Sequence, residues 1–219
     1  TVSYGRVDRS AAAFKPFGES STLAGRIGVG RLFPLGQSVP DPGDDPTRSI
    51  LRLRDALFTA GGSYGVRGWG EQLLGPKTPD AQGDLDEPLS LTASRYVPIG
   101  GLARMQSTVE VRLPMPIIGS PHGVHAFFDA GRVWNPDQRF PTGGPDETRM
   151  FFSTGGGVEF ASAVGPIRLS VGYKLNPSVL DVRDAGDVLQ ALINDESVLD
   201  VSTLPLRRFH LHLTLGRTF

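Results

Sequence analysis

The chain has 219 residues, with 22 Lys or Arg against 23 Asp or Glu, and this near-zero balance gives no reason to expect a nucleic-acid partner. It contains no cysteine, which excludes disulfides, thiolate metal sites and a cysteine nucleophile. No run approaches the roughly 18 apolar residues of a membrane-spanning helix, so a helical membrane protein is excluded, and 28 glycines argue against a helix-rich fold.

Polar and apolar residues alternate with a period of two along much of the chain, which predicts strands with two different faces. From Pro166 to Leu175, Arg168, Ser170 and Lys174 share one face, and Ile167, Leu169, Val171 and Tyr173 share the other. In chain order we predict about seven strands, at roughly 2–15, 22–34, 106–113, 123–134, 150–161, 166–175 and 209–219. The connections alternate between tight turns, such as 162–165, and long polar loops, which is typical of an outer-membrane barrel.

Three long connections divide this pattern, at 36–100, 135–148 and 176–207. The segment 36–100 is the longest stretch without a predicted strand, and loops of that length are usually either functional or disordered. The segment 176–207 is predicted to be an extracellular loop with one short helix at 187–193, behind the N-cap candidate Asp184. The helical spacing of Val188, Leu189, Leu192 and Ile193 favours a helix that covers the barrel rim over a dedicated partner site. The predicted fold class is therefore an all-β, antiparallel transmembrane β-barrel.

The segment 36–100 contains Val66, Arg67, Gly68 and Trp69, which follow a glycine-rich run. By itself, a glycine-flanked arginine is equally consistent with a turn that carries a solvated charge. Two acidic residues later in the chain favour a paired arginine over a solvated one. Glu110 lies on the polar face of the strand 106–113, and Asp129 lies in the sequence Phe-Phe-Asp-Ala-Gly-Arg-Val-Trp.

These motifs, in this order, resemble those of the outer-membrane assembly factors, the family that includes BamA, TamA, the chloroplast import channel and the two-partner secretion transporters. The resemblance implies that Arg67 is the arginine of a loop folded into the barrel lumen, and that Glu110 and Asp129 are its acidic partners. Further similarity lies at 165–169, which resembles a strand opening of the family, and at 215–219, which resembles its closing strand. It also implies about sixteen strands, so we expect this chain to be the C-terminal half of the barrel, with periplasmic domains upstream.

The physical properties of these residues agree with the resemblance. The planar guanidinium of Arg67 can satisfy two carboxylates at once, a geometry that lysine cannot copy. Gly68 allows the backbone to lie close to the barrel wall. We therefore expect a latch that holds the loop inside the barrel, with a conformational rather than a catalytic role. The residues assigned to this latch are Val66, Arg67, Gly68, Trp69, Glu110 and Asp129.

The final strand ends on an aromatic residue. Phe209, Leu211, Leu213, Leu215 and Phe219 share one parity, and by resemblance this strand forms one side of the barrel seam and part of the signal for the barrel's own assembly. We expect it to pair with the strand 166–175.

The function that the resemblance implies is insertion of β-barrel proteins into the bacterial outer membrane. The implied partners are outer-membrane lipid, unfolded outer-membrane protein clients and accessory lipoproteins of an assembly complex. We expect no enzyme activity and no cofactor. A TamA-like or two-partner secretion translocator is the closest alternative, and a passive porin or structural barrel is the second.

Other candidate sites are weaker. His122, His125, His210 and His212 lack a recognisable zinc spacing, so no metal site is predicted. The run Gly155–Gly157 lacks the lysine and the helix of a phosphate-binding loop. We interpret it as a strand with close neighbours.

Overall fold

The computed structural model of the protein describes residues 3–38, 53–84, 86–117, 121–134, 150–163 and 165–216. Nine β-strands dominate these residues, seven of them long enough to show the alternating pattern. In chain order they are β1 (Ser3–Phe17), β2 (Ser21–Leu35), β3 (Lys77–Pro79), β4 (Tyr96–Pro98), β5 (Ala103–Pro114), β6 (Gly123–Trp134), β7 (Phe151–Phe160), β8 (Ile167–Lys174) and β9 (Phe209–Leu215).

Seven of these strands form one sheet in the order β1-β2-β5-β6-β7-β8-β9, and every neighbouring pair is antiparallel. The seven predicted strands are therefore confirmed. The sequence did not predict β3 and β4, which form a separate two-stranded sheet inside the long loop. Strands of three residues are too short to show an alternation, so their pattern resembles that of a loop.

The two faces of the large sheet differ as the alternation predicts. On β8, Arg168 is 1% exposed and Ser170 is buried, whereas Leu169 is 40% exposed and Val171 is similarly open. We call the face that bears Arg168 the inner face and the opposite face the outer face. Large apolar side chains cover the outer face from β1 to β9, which suits a surface in contact with lipid.

The two ends of the sheet also differ. At one end the connections are short: residues 18–20 join β1 to β2, and Ser162 and Gly165 exchange backbone hydrogen bonds of 3.1 and 3.2 Å in the turn before β8. At the other end lie the long connections 36–102 and 175–208. The predicted asymmetry of tight turns and long loops is present in the described residues.

The long loop supplies the core of the molecule by packing on the inner face. Leu53, Ala56, Leu57 and Phe58 pack against Leu32 of β2. Further along, Ala60, Val66, Trp69 and Leu74 pack against Val133 of β6 and Phe151 of β7. The ring of Phe58 approaches β2 at Gly30, where a Cβ atom would lie 2.5 Å from the ring. The inner face is therefore covered by the loop rather than open.

The predicted helix is present as α1 (Ala185–Ile193), and the side chain of Asp184 caps it by accepting a 2.9 Å hydrogen bond from the backbone N–H of Gly186. Val188 and Leu189 are buried against the β3–β4 region, as their spacing predicts. Leu192, in the last turn of the helix, is 54% exposed, so its predicted place in the packed face is wrong, whereas Ile193 is partly buried against the same cluster. Within the described residues, no helix combines the length and apolar character that crossing a membrane requires.

Candidate functional site

The side chain of Arg67 lies between the carboxylates of β5 and β6. Its Nε and Nη2 donate hydrogen bonds of 2.9 and 2.8 Å to the two carboxylate oxygens of Asp129, and its Nη1 donates to Glu110. The Arg67 side chain is 4% exposed and both carboxylates are fully buried. The contact that the sequence predicts between these three residues is therefore confirmed.

Glu110 is shared between several cations. The Nη2 of Arg168 donates a 2.7 Å hydrogen bond to the Oε1 of Glu110, and the Nε of Arg112 donates another of 2.7 Å to the same oxygen. Arg168 also lies 3.3 Å from a carboxylate oxygen of Glu159. Three guanidiniums, those of residues 67, 112 and 168, thus face three carboxylates, those of residues 110, 129 and 159. The network is formally neutral, which is how buried charges are tolerated.

The protonation state of Arg67 follows from these partners. Burial alone would lower the pKa of the guanidinium, but the hydrogen bond and charge of Asp129, with the charge of Glu110, raise the pKa above its ordinary value. Arg67 is therefore a permanent cation inside the sheet.

An aromatic ring completes the environment of this cation. The guanidinium carbon of Arg67 lies 3.5 Å from the centroid of the Phe127 ring on β6. A planar guanidinium can stack on a ring while its edge donates to carboxylates in the same plane, and an ammonium group cannot do both.

The backbone of the motif is held as firmly as its side chain. The Nε2 of His212 on β9 donates a 2.7 Å hydrogen bond to the carbonyl oxygen of Arg67, and the N–H of Gly68 donates to the Oγ of Ser153 on β7 at 3.1 Å. A Cβ atom at Gly172 of β8 would collide with the Arg67 carbonyl. The loop thus lies directly on β7, β8 and β9, which only a position without a side chain on β8 allows.

A tight turn presents the motif. Gly61 and Gly62 have φ values of 106° and 90°, in the region that favours glycine. The N–H of Gly62 donates a 3.0 Å hydrogen bond to the carbonyl of Trp69, which closes the turn around the motif. The Trp69 ring packs edge-on against Phe151, with centroids 5.7 Å apart.

The two long connections meet above this site. Lys77, at the start of β3, forms a buried ion pair with Asp181. Burial alone would raise the pKa of Asp181, but the Lys77 charge and hydrogen bonds from Lys77 and Ser178 hold that pKa below its ordinary range. The Tyr96 hydroxyl donates to the carbonyl of Asp184, at 3.2 Å, and burial raises the pKa of Tyr96 to about 12. We call this assembly of β3, β4 and α1 the cap.

Several residues that hold the site together were not predicted from the sequence. Two of them, Arg168 and Arg112, donate to Glu110 and lie within segments of predicted strand. The other missed partners are Phe127, Ser153, Gly172 and His212. Glu110, Phe127, Gly155 and Gly172 follow one another across β5 to β8 in a single row, so some of these residues could be found only once the strand register is known.

The final strand pairs with β8 as expected, from Ile167 opposite Leu215 to Tyr173 opposite Phe209. Its outer face is strongly exposed, with Leu213 at 73%, and Phe209, Leu211 and Leu215 are also open. Phe219 lies outside the described residues. The role of this strand as seam and assembly signal stays a prediction.

The remaining candidates have structural explanations. The rings of His210 and His212 are 4.6 Å apart, and His212 contacts the Arg67 carbonyl. Across the described part of the chain, His, Asp and Glu side chains form no group of three or more that could hold a metal ion. Cβ atoms at Gly155 and Gly157 would collide with the backbone of β8, which confirms the interpretation of this run as a strand with close neighbours.

Comparison with known proteins agrees with this architecture. The profile of the Omp85 superfamily domain matches residues 1–184. The structure is similar to that of BamA from Haemophilus ducreyi lacking POTRA domains 1-3, with a TM-score of 0.57 and 21% identity over 80% of this chain and 32% of that one. A similarity with CdiB from Acinetobacter baumannii has a TM-score of 0.43 and 14% identity over 80% of this chain and 24% of that one.

The fold is that of a transmembrane β-barrel wall with a loop packed on its inner face. The chain belongs to the Omp85 superfamily. It spans about a third of the length of the BamA structure that it matches.

Proposed function

We propose that this chain is part of an outer-membrane factor that inserts and folds β-barrel proteins in the bacterial outer membrane. The observation that carries the proposal is the buried network of Arg67, Glu110 and Asp129, which fixes a long loop to the inner face of the barrel wall. The proposed role is conformational, and no catalytic chemistry is assigned to these residues.

The loop contacts support this role over that of a passive pore. A diffusion pore needs an open lumen, and a latch that joins the loop to β5, β6, β7 and β9 would serve no purpose there. In an insertion factor, the same contacts would let the loop respond to changes in the wall. Because His212 lies on β9 and donates to the loop carbonyl of Arg67, a movement of β9 would displace the loop directly.

The strand β9 supplies the other element of the proposal. It pairs with β8 along one edge. In the proposed mechanism its other edge belongs to a seam that opens sideways, so that an incoming client strand can pair with it by β-augmentation. The exposed apolar side chains of β9 would then already face lipid, so the client strand would enter a bilayer environment directly.

The test uses the full-length protein in proteoliposomes with a urea-denatured β-barrel client. We expect a faster rise of the heat-modifiable, folded client than with empty liposomes. Arg67→Ala should abolish this acceleration, and Arg95→Ala should keep it, because Arg95 pairs with Asp80 on the surface with a 70% exposed side chain.

The alternatives give different results. A two-partner secretion translocator would move a soluble passenger across the bilayer without accelerating the folding of barrel clients. A passive porin would give steady ion conductance and no acceleration. A TamA-like factor would act on a restricted set of clients, so several client barrels should be compared. Equal folding rates with and without the protein, for every client, would contradict the proposal.

A further inference from the structure

Charged side chains are distributed unequally between the two faces of the seven-stranded sheet. Its strands contain four acidic residues, Asp8, Glu110, Asp129 and Glu159, and all four lie at inner-face positions of the register. The charged residues at outer-face positions are Arg9, Lys15, Arg31 and Arg132, all of them cations. The outer face of the described strands is thus purely cationic wherever it is charged.

The outward direction of two of these cations follows from their neighbours. Asp8 on β1 accepts hydrogen bonds of 2.9 and 3.1 Å from Arg104, and Arg104 also donates to the carbonyl of Thr59 in the loop at 3.2 Å. Because that loop lies on the inner face, Asp8 faces inward and its neighbour Arg9 faces outward. On β2, Gly30 lies under the inner-face ring of Phe58, so Arg31 faces outward. Both arginines are exposed.

Arg9 and Arg31 are close neighbours on this face. Arg9 lies opposite Val29, and Arg31 is two residues further along β2, so the two are diagonal cross-strand neighbours. Such pairs are about 7–8 Å apart at the backbone. Among the described residues no carboxylate pairs with either guanidinium. Two long cations held this close repel each other unless an anion lies between them.

Their height along the barrel wall places them at a membrane interface. Arg31 is ten residues beyond Ser21, the first residue of β2, which is about 34 Å along the strand. A tilt of about 40° reduces this to a height of about 26 Å above the short turns, close to the roughly 25 Å of the apolar band. Arg9 is eight residues before Phe17, at a height of about 21 Å by the same arithmetic.

Aromatic side chains mark the same level. The guanidinium of Arg31 lies 5.5 Å from the ring of Phe33. On β6, Arg132 lies 4.8 Å from the ring of Trp134, and Trp134 shares the register row of Arg31 through Ala103. Aromatic rings of this kind line the boundaries of the apolar band of membrane barrels.

From this arrangement we propose that Arg9 and Arg31 form a binding site for the phosphate of a membrane-lipid headgroup, at the end of the barrel that bears the long loops. Two guanidinium forks can donate several charge-assisted hydrogen bonds to one phosphate. The acyl chains of the same lipid would lie against the apolar outer face below, over Ile27 and Val29. This site is independent of the loop latch and of any client.

The test measures lipid selectivity of the full-length protein in phosphatidylcholine nanodiscs. Acyl-chain spin-labelled phosphatidic acid and phosphatidylcholine are compared by the fraction of label that the protein immobilises. We expect a preference for phosphatidic acid of about 25-fold at this site, since each of the two arginines near the membrane surface contributes about fivefold. Replacing both arginines, as Arg9→Gln with Arg31→Gln, should reduce the preference to near equality.

Two further variants separate a specific site at Arg9 and Arg31 from a general attraction of anionic lipid to basic residues. Lys15→Gln removes an outward cation near the opposite end of β1 and should keep the preference. Arg9→Lys with Arg31→Lys keeps both charges but loses the forks, so it should retain part of the preference and covers the case in which the glutamine pair fails to fold. The proposal is overturned if the wild type shows no preference, if the glutamine pair keeps it, or if Lys15→Gln lowers it as much as the pair.

Discussion

Removal of the loop arginine is the most informative perturbation of this molecule. Arg67→Ala deletes three side-chain hydrogen bonds from a site where both carboxylates are fully buried. Breaking a buried pair by removing one partner costs about 3–5 kcal/mol, because the remaining charge is left without compensation. We expect loop docking to weaken by a factor of about 10²–10⁴.

The cost should not be shared equally between the two acids. Glu110 keeps Arg168 and Arg112 when Arg67 is removed. Asp129 has no other side-chain partner among the described residues. Adding Asp129→Asn to Arg67→Ala should therefore restore part of the docking, whereas adding Glu110→Gln should weaken the site further because Arg168 and Arg112 would then face a neutral amide instead of a carboxylate.

Hydrogen exchange of the peptide that covers residues 60–74 measures this effect in the full-length protein. The protection of its amides should fall strongly in Arg67→Ala and recover partly with Asp129→Asn. Arg95→Ala, at an exposed ion pair, should change protection by no more than about 1 kcal/mol. Unchanged protection in Arg67→Ala, or equal rescue by Glu110→Gln and Asp129→Asn, would refute the reasoning.

Two other predictions follow from the described contacts, and a third follows from the sequence of the final strand. Gly172→Ala should undock the loop because the new Cβ atom would collide with the loop backbone, whereas Gly25→Ala should not, because the space around Gly25 is open. Limited proteolysis should therefore cleave the loop faster in Gly172→Ala than in Gly25→Ala. Because folding lowers the pKa of Asp181, its ionised carboxylate stabilises the cap at every pH above the unfolded carboxyl pKa of about 3.9. This stabilisation should be lost as the pH falls through the pKa of Asp181 in the folded protein. Hydrogen exchange of the residues around 181, measured between pH 2 and pH 7, would show the loss. Deleting Phe219 should reduce the heat-modifiable folded fraction in outer membranes more than Leu213→Ala, and the reverse order would contradict a role in assembly.

Much of the wall could be predicted because alternation is a strong local pattern. The faces of β8 follow directly from the parity of Arg168 and Leu169, and the whole seven-stranded order follows from successive antiparallel neighbours. The contact of Arg67 with Glu110 and Asp129 came from the order of motifs and their resemblance to a family, since no local pattern joins residues so far apart.

The contacts that could not be predicted depend on the register between neighbouring strands, which the sequence alone does not determine. Whether Gly172 lies beneath the loop depends on which residue of β7 it faces, and a shift of one residue would place a side chain there. The cap was missed for a different reason. Its strands at Lys77 and Tyr96 are stabilised by tertiary contacts with α1, and three-residue strands have no pattern of their own.

The latch also dictates when it can form. Its bonds join Arg67 to Glu110, 43 residues away, to Asp129, 62 residues away, and to His212, 145 residues away. Contacts of such long sequence separation form late, since the intervening chain must first be ordered. Docking of the loop is therefore completed only after β9 has joined the wall. A wall that lacks β9 would leave the loop without its hydrogen bond from His212, so docking of the loop depends on a strand that is made 145 residues after Arg67.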